Sequence, residues 1–195
     1  MCPVRYTTCG EIVDSAKAIE REVAELFREY AAGLIRYGLI LAPDRTSAQD
    51  AVQEVFLRYF TARVDGQPIN NPRAWLYRVL RNHLFDVQRR AERSGEVGLE
   101  DVQDRADEHA NPETTYTQDE RVRQFWRLLA PRELECMRLR TEGLSYSEIA
   151  RVMDLRPGTI AALLSRAHRK MRSLLETERR RRGRRALVKE TRYAP

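Results

Sequence analysis

The sequence predicts an all-α protein of two small helical domains joined by an acidic, flexible linker, with a helix-turn-helix in the second domain. Apolar residues recur at steps of three and four along most of the chain, and no stretch alternates as a strand does. Residues 91–120 contain ten acidic but only two basic residues, together with glycines and a proline, which indicates a linker. Residues 145–172 have the pattern of a helix-turn-helix followed by a basic helical extension.

The first domain is expected to contain three helices separated by short breaks. The apolar spacing predicts the first helix over residues 15–41. Ser47 is placed to cap a second helix that runs to about Phe60, because its hydroxyl can accept from a free N–H of the first turn. Residues 61–71 are rich in turn-forming residues and are expected to form a loop.

The second helix has two distinct faces. Its apolar residues share one side, which is expected to be buried: Ala51, Val52, Val55, Phe56 and Tyr59. A separate stripe follows the helical spacing i, i+3, i+4, i+7: Asp50, Gln53, Glu54 and Leu57. This stripe is either a solvated surface or a protein-binding face with acidic residues around a leucine, and the spacing alone leaves both interpretations open.

The third helix also has two sides. Asn71 can cap it and Pro72 can open it, and the helical pattern ends near Arg90. The predicted core side holds Leu76, Val79, Leu80, Leu84 and Val87. Steps of three and four place aromatic, guanidinium and amide groups together on another side: Trp75, Arg78, Asn82, Phe85 and Arg89.

The mixed face of the third helix is suited to unstacked single-stranded nucleic acid. Bases stack on aromatic rings, at about 1–3 kcal/mol each, while arginines meet phosphates. Trp75 and Phe85 are equally interpreted as core residues, so both interpretations remain open. Gln67, Asn70 and Asn71 in the preceding loop have the groups to hydrogen-bond a flipped base, although such residues also form plain turns.

The helix-turn-helix is predicted from its caps and its apolar stripe. Ser145 and Glu148 form a capping-box pattern, and Pro157 suits the first position of the second helix. That helix is expected to bury Ile160, Leu164, Ala167 and Met171. Its other side is expected to face the major groove with Thr159, Ala162, Leu163 and Arg166, followed by Arg169 and Lys170. Use of this helix-turn-helix for packing or for a protein partner is the alternative.

The charge distribution favours nucleic-acid binding by both ends of the chain. Outside residues 91–120 there are 33 basic against 19 acidic residues. Residues 166–192 alone hold 12 basic and three acidic residues, which suits phosphate contacts that depend strongly on salt. The basic tail after about residue 178 is expected to be frayed or disordered.

Several classes of protein are not indicated. The three cysteines are odd in number and widely spaced, so free thiols are expected, with a Cys2–Cys9 redox pair as the alternative. The histidines lack metal-ligand spacing, and no apolar run approaches the roughly 20 residues of a membrane span. We find no secretion signal, nucleophile–base pair or phosphate loop, so a cytoplasmic protein without cofactor, metal, catalytic residues or membrane insertion is expected.

At these motifs the chain resembles a bacterial RNA polymerase sigma factor of the extracytoplasmic-function (ECF) type of the major sigma family. Residues 50–60 (DAVQEVFLRYF) resemble its polymerase-binding helix, residues 71–90 its promoter −10 helix, and residues 129–160 its −35-binding domain. The resemblance covers roughly residues 22–90 and 117–175. It implies an extension over 1–20, a region-two-like domain over 21–90, a linker over 91–116, a region-four-like domain over 117–178 and a basic tail over 179–195.

The resemblance also implies a role for each face. The Asp50, Gln53, Glu54 and Leu57 stripe would bind the clamp helices of the polymerase β′ subunit, the second domain would meet the β flap, and the acidic linker would thread the RNA exit path. The −10 element would be melted and held by Asn70, Asn71, Arg73, Trp75, Arg78, Arg81, Asn82, Phe85 and Arg89. The −35 element would be held by Arg156, Thr159, Ala162, Leu163, Arg166, Arg169 and Lys170. Such sigma factors are commonly inhibited by an anti-sigma factor, which is a further expected partner.

One segment departs from the family pattern. The positions of Ala161, Ala162 and Leu163 commonly hold a lysine, a serine and an arginine that contact the −35 element. Loss of that arginine removes about 1–3 kcal/mol of base discrimination. We therefore expect weak or unusual −35 recognition, offset by the basic tail or by a recruiting partner. The alternatives are a stand-alone helix-turn-helix regulator and an interaction protein that uses the apolar 160–164 helix to bind a partner.

Overall fold

The computed structural model describes residues 9–94 and 125–191, and these ranges contain helices but no strand. The helices are α1 (Cys9–Leu41), α2 (Arg45–Val64), α3 (Pro72–Ser94), α4 (Pro131–Thr141), α5 (Tyr146–Met153) and α6 (Pro157–Thr191). They belong to two compact units, which confirms the predicted all-α architecture. None of the described helices carries an apolar stretch long enough to cross a bilayer. Cys2 and most of the predicted linker lie outside the described residues.

The first unit is a three-helix packing in which each of α1, α2 and α3 contacts the other two. Its core consists of large apolar side chains from all three helices, among them Leu34, Tyr37, Val52, Val55, Tyr59, Leu76, Tyr77 and Leu80. The α1–α2 approach is close at Gly38, where an added Cβ would lie 3.4 Å from the Ala48 Cβ. The predicted buried face of α2 is confirmed.

The start of α2 differs from the prediction. Asp44, not Ser47, is the N-cap: its Oδ1 accepts the Ser47 backbone N–H at 2.7 Å, and its Oδ2 accepts the Ser47 hydroxyl at 3.0 Å. A carboxylate is favoured there because it meets both the free N–H groups and the positive end of the helix. The helix also continues to Val64, so only residues 65–71 form the loop.

The start of α3 agrees with the sequence, but its end does not. Asn71 caps the helix through its Oδ1, which accepts the Ala74 N–H at 3.0 Å, and Pro72 is the first helical residue. The helix runs on past Arg90 to Ser94. The core assignment of Val87 is wrong, because its side chain is 43% exposed; Leu84 is the last buried residue of α3, and Val87 lies beyond the core.

The second unit is built on the packing of α4 against α6. Its core includes Cys136, Leu139, Leu144, Ile149, Ile160 and Leu164. The predicted capping box of α5 is confirmed: the Glu148 carboxylate accepts the Ser145 N–H at 2.7 Å, and the Ser145 hydroxyl accepts the Glu148 N–H at 3.3 Å. Asp154 makes the turn with φ 53°, a left-handed conformation that aspartate tolerates better than most residues.

The last helix is longer than predicted. It begins at Pro157 as expected, but it continues as one α-helix of 35 residues to Thr191. The prediction of a frayed tail after residue 178 is therefore wrong for the backbone as far as Thr191. Arginine, leucine, alanine and glutamate are good helix formers, and extending an existing helix avoids the cost of nucleation.

Candidate functional site

The stripe on α2 is exposed along its length. Asp50, Gln53 and Leu57 are exposed and Glu54 is half-buried; Leu57 leaves 63% of its surface open to solvent. A single exposed leucine is common on protein surfaces, so its exposure alone does not identify a binding surface. This exposure is compatible with both interpretations of the stripe, a solvated surface and a protein-binding face.

A charged bridge connects this stripe to α3. The Arg58 Nε donates to Glu54 Oε1 at 2.8 Å, and the Arg58 Nη2 lies 3.2 Å from His83 Nδ1. The hydrogen bond from Arg58 lowers the pKa of Glu54. Burial, reinforced by the Arg58 charge, lowers the pKa of His83, which favours the neutral imidazole. Arg58 thus holds Glu54 in a fixed place beside Leu57.

An apolar groove lies beside the stripe, between α1 and α2. Its volume is about 640 Å³, and its lining includes Val23, Ala24, Phe27, Gln53, Phe56 and Leu57. The Phe27 ring is 45% exposed and stands 5.0 Å from the Phe56 ring. The sequence did not predict this groove, because the period of α1 gave no sign that Phe27 would be left half open.

The mixed face of α3 has features both of a core-facing surface and of a surface for single-stranded nucleic acid. Arg78, Asn82 and Arg89 are exposed, whereas Trp75 and Phe85 are half-buried. The Trp75 ring meets the buried Tyr59 ring edge-on at 5.4 Å. The Arg81 guanidinium lies over the Phe85 ring, 4.5 Å from its centroid. Each ring is therefore held by a neighbour while part of it stays accessible among polar side chains.

The loop before α3 is short and anchored at both ends. At its start, Gly66 adopts φ +73°, and the Gln67 N–H donates to the Ala62 carbonyl at 2.9 Å, which forms a Schellman motif. At its end, Asn71 caps α3. Asn70, between these anchors, is exposed, as is the half of the loop around Gln67. The predicted base-binding residues thus stand on a defined backbone.

A charged cluster lies behind this loop. The Arg63 Nη2 and Nε lie 3.2 and 3.3 Å from Glu22 Oε2, and the Arg63 Nη1 donates to the Gln67 carbonyl at 3.4 Å. The Tyr59 hydroxyl donates to Glu22 Oε1 at 2.5 Å. Burial and this hydrogen bond raise the pKa of Tyr59, so the hydroxyl stays protonated. The sequence analysis missed Glu22 and Arg63, which are 41 residues apart.

The groove-facing side predicted for α6 needs one correction. Leu163 is only 6% exposed and belongs to the core, so it cannot contact a thymine methyl group. It lies between Ile160 and Ala167 at steps of three and four, which widens the apolar stripe to include it. The exposed residues from 156 to 169 are Arg156, Pro157, Gly158, Thr159, Ala161, Ala162, Ser165, Arg166, His168 and Arg169. Ala161 and Ala162 have no hydrogen-bonding side chains, and the next exposed side chain along the helix is that of Ser165.

Lys170 is held inside its own unit. Its Nζ donates to Glu133 Oε2 at 2.6 Å and to the Leu128 carbonyl at 2.8 Å. Arg166 Nε lies 3.9 Å from the other oxygen of Glu133, whose side chain is 6% exposed. Burial acts to raise the pKa of Glu133, but hydrogen bonds from Lys170 and the Ala130 N–H, with both nearby cations, bring it below its usual value. Two of the three Lys170 donors therefore face protein.

Two segments of the chain match known protein families. Residues 26–94 match Sigma-70 region 2, and residues 120–171 match Sigma-70, region 4. The ECF RNA polymerase sigma factor SigL of Mycobacterium tuberculosis is 32% identical over 169 residues, which cover 84% of this chain and 95% of SigL. SigE of Mycolicibacterium smegmatis is 30% identical over 156 residues, covering 77% of this chain and 60% of SigE.

Two solved structures share the fold. One is the sigma factor RpoE in complex with the anti-sigma factor NepR from Bartonella quintana, with a TM-score of 0.59 and 24% identity, covering 78% of this chain and 95% of RpoE. The other is CnrH in complex with the cytosolic domain of CnrY, with a TM-score of 0.54 and 22% identity, covering 85% of this chain and 95% of CnrH.

Proposed function

The chain belongs to the ECF RNA polymerase sigma factors, and from that premise we propose which of its surfaces perform each step of initiation. As a sigma factor it binds core RNA polymerase and promoter DNA and directs the polymerase to promoters. Sigma factors are initiation factors rather than enzymes, and nucleotide addition belongs to the polymerase. We place this activity in the cytoplasm, with no cofactor. A stand-alone regulator and a protein that binds only a protein partner are not favoured.

Core polymerase is proposed to bind the α2 stripe formed by Asp50, Gln53, Glu54 and Leu57, through the β′ clamp helices. The supporting observation is the exposed Leu57 beside the Glu54–Arg58 pair. Replacing Leu57→Asp should weaken core-polymerase binding by about 30-fold or more, the effect of losing a hot-spot residue of roughly 2 kcal/mol. Val87→Asp is the matched control, because Val87 is an aliphatic residue that is 43% exposed on α3, outside the stripe. Equal losses in the two variants, measured by titration with core polymerase, would argue against the assignment.

The −10 strand is proposed to bind the α3 face and the 65–71 loop. Exposed Arg78 and Asn82 stand beside the accessible parts of Trp75 and Phe85, which is the combination of phosphate-binding and stacking groups that a melted strand needs. Arg78→Ala should weaken holoenzyme binding to a single-stranded −10 oligonucleotide and reduce its salt dependence by about one phosphate contact. Arg93→Ala, at the exposed end of α3, should leave both unchanged. A result in which both variants behave alike would contradict the proposed face.

Upstream DNA is proposed to be held mainly through phosphates by Arg156, Thr159, Arg166 and Arg169. The early turns of α6 present two exposed alanines where base-reading side chains would stand. Lys170 contributes there only as a neighbouring charge, since Glu133 and the Leu128 carbonyl take two of its donors. In transcription with core polymerase, single-base changes in the −35 element should lower initiation much less than changes in the −10 element. Equally sharp losses at both elements would overturn weak −35 reading.

An anti-sigma factor is proposed to occupy the apolar groove between α1 and α2. RpoE of B. quintana is seen in complex with the anti-sigma factor NepR, and CnrH is seen in complex with the cytosolic domain of CnrY. Gln53 and Leu57 line both this groove and the stripe, so a protein in the groove would exclude polymerase. Phe27→Asp should raise transcription of the sigma factor's own promoters in the native host, while transcription with purified core polymerase stays unchanged. Unchanged transcription in the host would refute this partner site.

A further inference from the structure

The loop of residues 65–71 has a third anchor besides its two ends. The Schellman motif at Gly66 fixes its start and the Asn71 cap fixes its end. Between them, the Arg63 Nη1 donates to the carbonyl of Gln67, the residue that leads into the exposed part of the loop. Both backbone groups of Gln67 are therefore hydrogen-bonded, and Asn70 directly precedes the Asn71 cap.

The third anchor is itself held from α1. Glu22 receives the Arg63 Nε and Nη2 on one carboxylate oxygen and the Tyr59 hydroxyl on the other. Arg63 and Glu22 are each about one-third exposed, so their pairing adds little to the free energy of unfolding. A planar guanidinium that shares its donors between a carboxylate and a carbonyl is, however, fixed in orientation. The effect of this pair is therefore positional.

The same carboxylate stands behind the aromatic part of the face. Tyr59, whose hydroxyl is bound to Glu22, meets the Trp75 ring edge-on. Glu22 thus has one link to the loop through Arg63 and another to Trp75 through Tyr59. A single side chain on α1 connects the two parts of the surface proposed to hold the −10 strand, and Glu22 itself lies on neither.

We propose that Glu22 and Arg63 are positioning residues for −10 recognition: they fix the 65–71 loop relative to Trp75 and so set how strongly the sigma factor discriminates between −10 bases. The inference rests on the proposed role of this loop in holding the −10 strand. Recognition by a preorganised loop favours the matching base because the loop does not adapt to another one. Loosening the loop should therefore lower discrimination more than it lowers binding.

Two variants test the proposal. Glu22→Gln keeps an acceptor for the Tyr59 hydroxyl but removes the ion pair. Arg63→Lys keeps the charge but has one nitrogen in place of the three that contact Glu22 and the Gln67 carbonyl. Glu25→Gln is the matched control, since Glu25 is exposed on the same helix one turn away. Each protein is assembled with core polymerase and tested on a promoter and its single-base −10 variants. We expect the ratio of initiation at the parent promoter to that at variants to fall about three- to ten-fold for the two test variants, a partial loss of preorganisation.

A second measurement follows the loop directly. Hydrogen–deuterium exchange of the full chain should be faster over residues 65–70 in Glu22→Gln and Arg63→Lys than in the unmodified chain, and unchanged in Glu25→Gln. Core-polymerase affinity should be unchanged in all three. If both test variants lower initiation by the same factor at every −10 sequence, with unchanged exchange over the loop, the positioning role is wrong.

One more variant distinguishes a failure of the positioning role from a failure of the proposed role of the loop in −10 binding. Asn70→Ala removes an exposed loop side chain without touching the cluster. If Asn70→Ala changes −10 discrimination and the two test variants do not, the positioning role fails while the loop keeps its proposed function. If none of the three changes discrimination, the loop does not read the −10 element, and the positioning role fails with it.

Discussion

Residue 163 determines what the recognition helix can offer to DNA. Because Leu163 is part of the core, an arginine introduced there would place a charge among Ile160, Leu164 and Ala167 instead of in the groove. We expect Leu163→Arg to lower the free energy of unfolding by about 3 kcal/mol or more, as for other unpaired buried charges. The measurement is urea denaturation of the full chain.

Ala162→Arg is the matched change at the exposed neighbour. It should cost no more than about 0.5 kcal/mol of stability, as surface substitutions usually do. It should also strengthen binding to upstream duplex DNA, because the added guanidinium stands on the open side of α6. A stable Leu163→Arg protein with stronger −35 binding would show that the burial of Leu163 has been misassigned.

Glu133 is a residue whose charge fixes α6 against the start of α4. Its pKa is below the usual value of 4.5, so its stabilising effect is fully present above pH 4.5 and is lost as the pH falls through the lower folded-state pKa. Glu133→Gln should lower the free energy of unfolding at neutral pH by about 1–2 kcal/mol, less than for a fully buried pair because Lys170 is 39% exposed. The difference between the two proteins should shrink below pH 4.5. A difference that stays constant down to pH 3 would contradict the ionic role.

The start of α2 illustrates a prediction at the level of a helix. Asp44 accepts both the backbone N–H and the hydroxyl of Ser47, so the cap depends on the aspartate. Asp44→Ala should lower the free energy of unfolding by about 1 kcal/mol, the usual cost of losing an N-cap. Ser47→Ala should cost less, because the backbone N–H of residue 47 still reaches Asp44. Thermal unfolding of the two variants distinguishes the two caps. A larger loss of stability in Ser47→Ala than in Asp44→Ala would show that Ser47 is the N-cap.

The helices were predictable from local sequence, because period and capping act within a few residues. The Ser145–Glu148 box and the Asn71 cap are contacts between residues three apart. At the start of α2 the predicted cap was wrong, because aspartate and serine have about equal preference for the N-cap and local sequence does not rank Asp44 against Ser47. The end of α6 differs from the prediction because the run of like charges after residue 178 indicates fraying, whereas the helix propensity of the same residues extends the helix.

The contacts that shape the faces were not predictable, because they join distant residues. Glu22 meets Arg63 across 41 residues, and Glu133 meets Lys170 across 37. Leu163 is at the edge of the apolar stripe of α6. A small rotation of the helix about its axis would move such a residue from the core to the surface, so its burial does not follow from spacing alone. The exposed stripe on α2 was found from spacing, but its role came from the family resemblance and remains a prediction.

On the proposed assignments, the first unit binds core polymerase and melted DNA, and the second unit binds duplex DNA. In the first unit, α2 contributes to all three proposed surfaces. Leu57 belongs to the stripe, Phe56 lines the groove, and Tyr59 contacts Trp75 of the proposed −10 face. In the second unit the exposed face of α6 offers arginines but few base-reading groups. This balance favours a sigma factor whose promoter choice rests on the −10 element, with upstream affinity supplied by charge.

The basic end of α6 provides a test of whether charge supplies the affinity for upstream DNA. Residues 179–191 hold seven basic residues and one acidic residue on a continuation of the recognition helix. A rise of 1.5 Å per residue puts Arg179 about 30 Å along the helix from Thr159. The major groove is only about 12 Å wide, so if Thr159 lies in it as proposed, we expect a basic residue this far along the helix to meet phosphates outside that groove.

Replacing Arg179, Arg180, Arg181 and Arg182 with glutamine keeps helix propensity while removing four charges. Holoenzyme binding to upstream DNA should then show a log K against log salt slope that is smaller by about one to three, since each phosphate contact contributes about 0.9. The −10 discrimination should not change, because phosphate contacts position a protein without reading bases. An unchanged slope would mean that Arg156, Arg166 and Arg169 hold the upstream phosphates without the extension, and that the long basic helix serves a surface other than DNA.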